Sequence, residues 1–222
     1  MKFIKAIFGM SLICCCLSLK AQEINWKNLE ENQKHIIQAN IGWDYSLSFG
    51  LGYKYRVNPG QPLLIGGSFS FPSGKTLFDD FKVKLGGQYR LIEKDHFIAS
   101  LSLYGIYRRY ESDLVRLQNV GSEISGDFGY YKPKWFAAVE VGFDKAIVTH
   151  FKHSDIYNEF IYEAKNGWYE PPTGGNFFYG LKAGYSFPSS DLTFSIGQVL
   201  TEKFNTTPLI PYYTKLGYSR KF

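Results

Sequence analysis

The stretch from Phe81 to Tyr107 alternates between apolar and polar residues. Between Phe81 and Leu91 every odd-numbered residue is apolar or glycine, and every even-numbered residue is polar or glycine. A period of two is typical of a β-strand with one apolar face, because successive side chains point to opposite faces. The alternation returns from Phe97 onward, after a polar turn at residues 93–95. The stretch therefore predicts a β-hairpin.

The same alternation recurs along most of the chain and predicts about ten strands. Eight is the alternative, if residues 37–43 are only a lead-in. The predicted strands cover residues 37–43, 47–55, 63–71, 81–91, 97–107, 120–130, 135–143, 177–185, 192–196 and 212–222.

The connections between these strands alternate in length. Short polar turns lie near residues 60, 93, 132 and 189, and long connections lie near residues 76, 114, 160 and 206. Short turns on one side and long loops on the other are typical of bacterial outer-membrane barrels, which also have an even number of strands. The pattern predicts an all-β fold, a transmembrane antiparallel up-and-down β-barrel. The rival is a soluble β-sandwich.

The composition agrees with strands that are only half apolar. Aromatic residues make up 18% of the chain, there are 22 glycines, and the mean hydropathy is −0.20. The net charge of +5 is spread among acidic residues, so no basic stripe predicts nucleic-acid binding. All three cysteines lie at positions 14–16, which leaves no thiol for a disulfide or metal site beyond the N-terminal segment. We expect no cofactor.

The first residues resemble a secretory signal peptide. Lys2 and Lys5 precede an apolar segment from Ala6 to Leu19, and Ala21 offers a cleavage site. An anchor helix or a lipidated cysteine is the alternative reading. We expect a signal peptide at residues 1–21, a periplasmic lead-in at 22–35 and an outer-membrane barrel at 36–222.

Together, the leader, the alternating strands and the terminal Phe222 resemble a small bacterial outer-membrane β-barrel, of the kind found in Bacteroidota. The resemblance implies a Gram-negative outer-membrane location, outer-membrane lipid as surroundings and recognition of the last strand by the barrel-assembly machinery. Arg220 departs from that pattern, since an apolar residue is usual there. Such barrels include adhesins, lipid-modifying enzymes, proteases, narrow pores and stabilising anchors.

Charged residues at the inward positions predict a charge network in the lumen, because charges face lipid only at a cost of about 2–4 kcal/mol for Lys or Arg at the bilayer midplane. Seven basic and four acidic residues form this set, and they predict either a salt-bridged, closed lumen or a narrow, weakly anion-preferring, porin-like pore. The set is Lys54, Arg56, Lys82, Lys84, Arg90, Glu123, Asp127, Glu140, Asp144, Lys182 and Lys215.

Five residues in two predicted external loops form a candidate hydrolytic site, namely Asp79, Asp80, His150, His153 and Asp155. A water molecule between an Asp pair and a His–Asp pair is a general-base arrangement. It is similar in outline to the omptin proteases, although no omptin sequence motif is present. The alternatives are solvated rim residues or a weak His-x-x-His metal site. We assign no catalytic residue, and we expect a protein that is not an enzyme.

Two further features concern surfaces. The loop from Thr149 to Gly175 is rich in apolar residues and is a candidate binding surface for an external ligand or protein. The predicted function is therefore a binding, adhesive or structural role through the external loops.

Aromatic residues near strand ends predict anchors at the membrane interface: Trp43, Trp135, Trp168, Tyr212, Tyr218 and Phe222.

Overall fold

The alternating segments form strands that pair in chain order in a computed structural model of the chain. The structure describes residues 24–43, 46–58, 60–74, 78–155, 157, 165–171, 174–204, 208 and 210–222. The predicted signal peptide lies outside these residues. A short 3₁₀ helix at Trp26–Asn28 precedes the strands. The strands are β1 (His35–Trp43), β2 (Leu47–Arg56), β3 (Leu63–Pro72), β4 (Asp80–Lys94), β5 (Phe97–Glu111), β6 (Val115–Lys132), β7 (Trp135–His153), β8 (Gly167–Tyr169), β9 (Gly175–Phe187), β10 (Ser190–Thr201) and β11 (Tyr212–Lys221).

The sheet closes on itself. Each long strand pairs antiparallel with its neighbours, β1 pairs with β11, and β7 pairs with both β6 and β9. Among the described residues this gives ten barrel strands, with the short β8 added beside β7. The predicted all-β barrel and its ten strands are confirmed. The eight-strand alternative is wrong because β1 forms the ladder that closes the barrel.

The two faces of the sheet have opposite polarity. Outward side chains are apolar and exposed, as in Leu85 at 67% and Leu181 at 60%. Inward side chains are polar and buried, as in Gln88 at 3% and Thr193 at 4%. An apolar outside around a polar inside is the arrangement of a transmembrane barrel.

Aromatic residues form two girdles on the outer surface. The upper girdle lies toward the long connections and includes Phe69, Phe71, Phe78, Phe81 and Tyr107, with ring centroids 5.1–6.0 Å apart. The lower girdle lies toward the short turns and comprises Phe97, Phe128, Tyr130 and Trp135.

The separation of the girdles matches a membrane. Ten residues separate Phe97 from Tyr107 along β5. At a rise of ~3.4 Å per residue and a strand tilt of ~40°, this spans about 25 Å along the barrel axis, the height of the apolar band of outer-membrane barrels.

The connection near residue 114 is shorter than predicted. β5 continues to Glu111 and β6 begins at Val115. The alternation is lost from the sequence here because both faces lie beyond the apolar band, where polar residues suit either side. With residues 149–153 of β7 and with β8, residues 108–111 and 115–119 form an extension that we call the upper sheet. Within the described part of the chain, no helix has the length and hydrophobicity to cross a bilayer.

Candidate functional site

The lumen contains a buried group of three charges. The Lys182 ammonium lies 2.7 Å from an oxygen of Asp127 and also pairs with Glu140. The Tyr213 hydroxyl donates a hydrogen bond of 2.5 Å to Glu140. These residues come from β6, β7, β9 and β11, so the group ties together strands on one half of the barrel.

A second set of polar contacts continues across the lumen. Lys84 of β4 pairs with Glu123 of β6. Lys54 donates to the Gln88 amide oxygen at 2.9 Å, and the Gln88 amide donates to Ser100 at 3.2 Å. These contacts between strands pair the charged and polar groups of the interior, where an unpaired buried group would be costly.

Three of the remaining predicted network residues, namely Lys82, Asp144 and Lys215, lie higher in the lumen. Asp144 accepts hydrogen bonds from the backbone and side-chain amides of Asn176. Lys82 and Lys215 line the cavity described below, and the Lys215 ammonium lies 5.2 Å from the Tyr213 ring centroid.

Arg56 and Arg90 lie away from the main network, at the short-turn end of the barrel. Arg56 donates to the Glu30 carbonyl at 3.0 Å. Arg90 pairs with Glu93 at 2.6 Å, and its guanidinium carbon lies 5.5 Å from the Trp26 ring centroid. Both arginines therefore hold the segment that precedes β1.

A polar cavity of about 310 Å³ occupies the upper lumen. It reaches the long-loop end at Ser70 and Ile210, and its lining extends down to Lys54 and Gln88. Six basic and four acidic side chains line it, which gives a formal excess of two positive charges. A second cavity of about 400 Å³ lies against the inner face of the upper sheet. It shares four lining residues with the first, namely Lys82, Arg108, Asp144 and Asn176.

Below the polar cavity an apolar layer occupies part of the lumen, beside the buried polar side chains of Asp191 and Lys221. Ile36, Leu64 and Ile98 are at most 1% exposed, and the Tyr131 and Phe136 rings stack with centroids 5.0 Å apart. A small barrel is just wide enough for its own side chains, so these buried rings narrow the lumen at this level.

Gly184 makes room for this layer. A Cβ atom at Gly184 would lie 2.2 Å from the Phe136 ring. We expect Gly184→Ala to displace Phe136 and lower the free energy of unfolding by about 1–3 kcal/mol, the usual cost of overpacking. Urea unfolding followed on unheated gels measures this effect. The matched control is Gly126→Ala, where the nearest atom to the new Cβ is 3.7 Å away, and equal stability of the two variants would contradict the prediction.

Residues 24–33 cover the apolar layer from outside, and we call them the N-terminal lid. Ile24 and Trp26 are 0% and 6% exposed and pack with the layer. The Asn25 amide donates to the Lys132 carbonyl at 2.7 Å and to the Ser186 hydroxyl at 2.9 Å. The lid lies within the predicted periplasmic lead-in at residues 22–35, which had no predicted role in the barrel.

A buried ion pair lies beneath the lid. The Lys221 ammonium is 3.0 Å from Asp191, and both side chains are 0% exposed. Lys221 also donates to the Asn28 carbonyl at 2.9 Å, and the Asn25 backbone amide donates to Asp191 at 3.2 Å. The lid is therefore joined to the last two strands through an ion pair whose side chains have no access to water.

The five candidate hydrolytic residues are not assembled into one site. Arg108 holds Asp80 with two hydrogen bonds of 3.1 and 2.6 Å, and Asp79 accepts from the Asp80 backbone amide at 2.8 Å. The strands β5 and β6 separate β4 from β7, which carries the two histidines.

The histidines themselves face different neighbours. The His150 ring packs edge-on against Trp168 at 5.0 Å, and the His153 Nδ1 lies 3.0 Å from the Asn166 side-chain oxygen. Residues three apart on one strand point to opposite faces. Asp155 follows the end of β7. Among the described residues no group of three or more His, Cys, Asp or Glu is placed to hold a metal ion.

The predicted interface aromatics lie on the outer surface. Five of the six are at least 42% exposed, namely Trp43, Trp135, Trp168, Tyr212 and Phe222, and Tyr218 is half-buried. Trp135 belongs to the lower girdle, whereas Trp168 lies on β8, above the upper girdle.

No protein-family model and no curated protein sequence matches this chain. Among solved structures, the chain is similar to the Yersinia pestis outer membrane protein Ail, determined as a backbone structure in a phospholipid bilayer nanodisc. The match has a TM-score of 0.33 and 12% sequence identity, and it covers 86% of this chain and 100% of Ail. At so low a TM-score, the barrel assignment depends on the strand pairing of this chain alone.

Proposed function

We propose that this chain is a small outer-membrane barrel with a closed lumen that acts by binding at its long-loop end, in an adhesive or structural role. The apolar band of about 25 Å between two aromatic girdles supports placement in a bilayer. The long connections and the upper sheet then face the outside of the cell.

The observation that carries this proposal is the packing of buried side chains at the short-turn end. The polar cavity ends above the layer of Ile36, Leu64, Ile98, Tyr131 and Phe136, and the N-terminal lid covers that layer. A solute that enters from the long-loop end therefore meets packed, buried side chains, among them large apolar rings, which favours binding over passage.

The cavities support a binding face at the long-loop end. The upper lumen is polar and carries more basic than acidic side chains, while the inner face of the upper sheet offers Ile106, Leu117 and Phe151. An acidic group with an adjoining apolar part fits this combination. The pairing of Asp80 with Arg108 leaves the hydrolase alternative without an assembled site among the described residues.

We expect the folded protein to be electrically silent in planar bilayers, because the apolar layer interrupts the water path. The measurement is single-channel recording on refolded protein. The folding control is a difference in gel migration between unheated and heated samples. A general porin recorded in the same bilayers shows that a channel would be detected. Steady openings that favour anions would overturn the closed-lumen proposal and support a narrow pore.

The location is tested separately. We expect the protein to fractionate with outer membranes and to remain there after washing at high salt. Recovery in the soluble periplasmic fraction would contradict the membrane placement and leave a soluble β-barrel.

A further inference from the structure

The outer face of the upper sheet carries basic side chains directly above the upper aromatic girdle. The register between strands places them in two rows, and both rows continue the outward face on which Tyr107 and Val120 lie. The lower row is Arg109, Gln118, His150 and Trp168, and the upper row is Glu111, Arg116 and Lys152.

The height of these rows corresponds to the lipid headgroups. Arg109 and Glu111 follow Tyr107 by two and four residues on β5. With a rise of ~3.4 Å per residue and a tilt of ~40°, the two rows lie about 5 and 10 Å above the girdle. Below them, exposed Val120 and Ile147 continue the apolar surface that would contact acyl chains.

The charge of the patch is positive. One carboxylate serves two arginines, since Glu111 pairs with Arg109 and with Arg116. The hydrogen bond from Arg116 is the main cause that holds the pKa of Glu111 below its usual value, so this carboxylate is ionised at neutral pH. With Lys152, which is exposed, three positive charges face one negative charge, and His150 is counted as neutral.

Arg116 keeps N–H donors that its pairing with Glu111 does not use. Arg116 uses its Nε and one Nη on Glu111, at 2.9 and 2.5 Å, and its side chain is 41% exposed. A guanidinium presents five N–H donors in a planar fork that matches phosphate oxygens. Pairing with one carboxylate oxygen leaves other donors of this fork unused, on a side chain that is largely accessible.

We propose that this basic patch, formed by Arg109, Arg116 and Lys152, binds the phosphate groups of an anionic lipid in the outer leaflet. The inference rests on the proposed outer-membrane placement of the barrel. The lipid's acyl chains lie along Val120 and Ile147, and its phosphates contact the two rows above. A free phosphate ion would gain the charge contacts but not the apolar ones.

The test uses the full-length barrel refolded in phosphatidylcholine bilayers that contain lipid A, a glycolipid with phosphates. Bound lipid A is quantified by native mass spectrometry after detergent extraction. We expect the triple variant Arg109→Gln, Arg116→Gln, Lys152→Gln to bind lipid A about 100-fold more weakly, because each basic residue near an anionic surface contributes about fivefold. Dephosphorylated lipid A should bind the native protein as weakly as lipid A binds the variant.

The matched control removes the same charge at the lower girdle, by Lys132→Gln, Lys134→Gln and Arg220→Gln. We expect this control to retain lipid A. Equal retention by the upper-sheet variant, or equal loss by the control, would overturn the proposal. Displacement of lipid A by equimolar inorganic phosphate would also overturn it, since the patch would then be a general anion site. Migration on unheated gels distinguishes a failed barrel from a folded barrel without lipid.

Discussion

Replacing Lys182 by methionine is expected to lower the free energy of unfolding by about 3–5 kcal/mol, because removing one partner of a buried ion pair leaves an uncompensated charge. Here two carboxylates, Asp127 and Glu140, would remain close together without their shared cation. The side chains of the three residues are at most 12% exposed, so water screens the repulsion poorly. Urea unfolding of the barrel, followed by migration on unheated gels, measures the loss.

Two further variants test whether the lost charge of Lys182 causes this loss of stability. Lys134→Met removes an exposed lysine at the short-turn end and is expected to change stability by no more than about 0.5 kcal/mol. Adding Asp127→Asn and Glu140→Gln to Lys182→Met removes the uncompensated charges and should restore most of the stability. A Lys182→Met protein as stable as Lys134→Met would show that the lumen does not depend on this group.

Truncating Trp26 to alanine is expected to cost about 3–5 kcal/mol, the usual cost of deleting a buried aromatic ring. Trp26 is the largest side chain of the N-terminal lid, is 6% exposed and packs with the apolar layer. Its loss opens a cavity and also removes the ring beneath the Arg90 guanidinium. Tryptophan fluorescence and urea unfolding of the refolded protein report the change.

Trp26→Phe is the matched control for the lid. The indole Nε1 of Trp26 is buried and makes no hydrogen bond to the described residues. Phenylalanine keeps an apolar ring and removes this unsatisfied donor, which offsets part of the lost contact area. Trp26→Phe should therefore retain most of the stability that Trp26→Ala loses. Identical stability of the native protein and Trp26→Ala would show that the lid does not dock on the barrel.

The sequence alone determined which residues are in strands and which way they face. The period of two assigned Lys82, Lys182 and Glu140 to the inside and Leu85 and Leu103 to the outside, because neighbouring residues on a strand point to opposite faces. The alternation of short and long connections then gave the barrel and its ten strands. Local pattern suffices for these features because each depends on residues close together in the chain.

The pairing of interior charges was decided only by the tertiary structure. Parity places Lys182 and Asp127 inside, but they are separated by 55 residues. Their contact depends on how far the strands are staggered and tilted around the closed barrel. The strand order also separates the Asp79–Asp80 pair from the histidines of β7, although the sequence made them candidates for one hydrolytic site.

The N-terminal lid is the clearest case of a feature that the sequence pattern did not predict. Residues 24–33 have no sustained period of two, and seven of the ten are polar, so their sequence does not indicate that the segment packs on a barrel. Asn25 becomes buried because it meets Asp191, 166 residues away, at the end of a barrel that only forms when β1 pairs with β11. Alternation is a property of each strand. The docking of the N-terminal lid is a property of the closed sheet, and for that reason only the tertiary structure determined it.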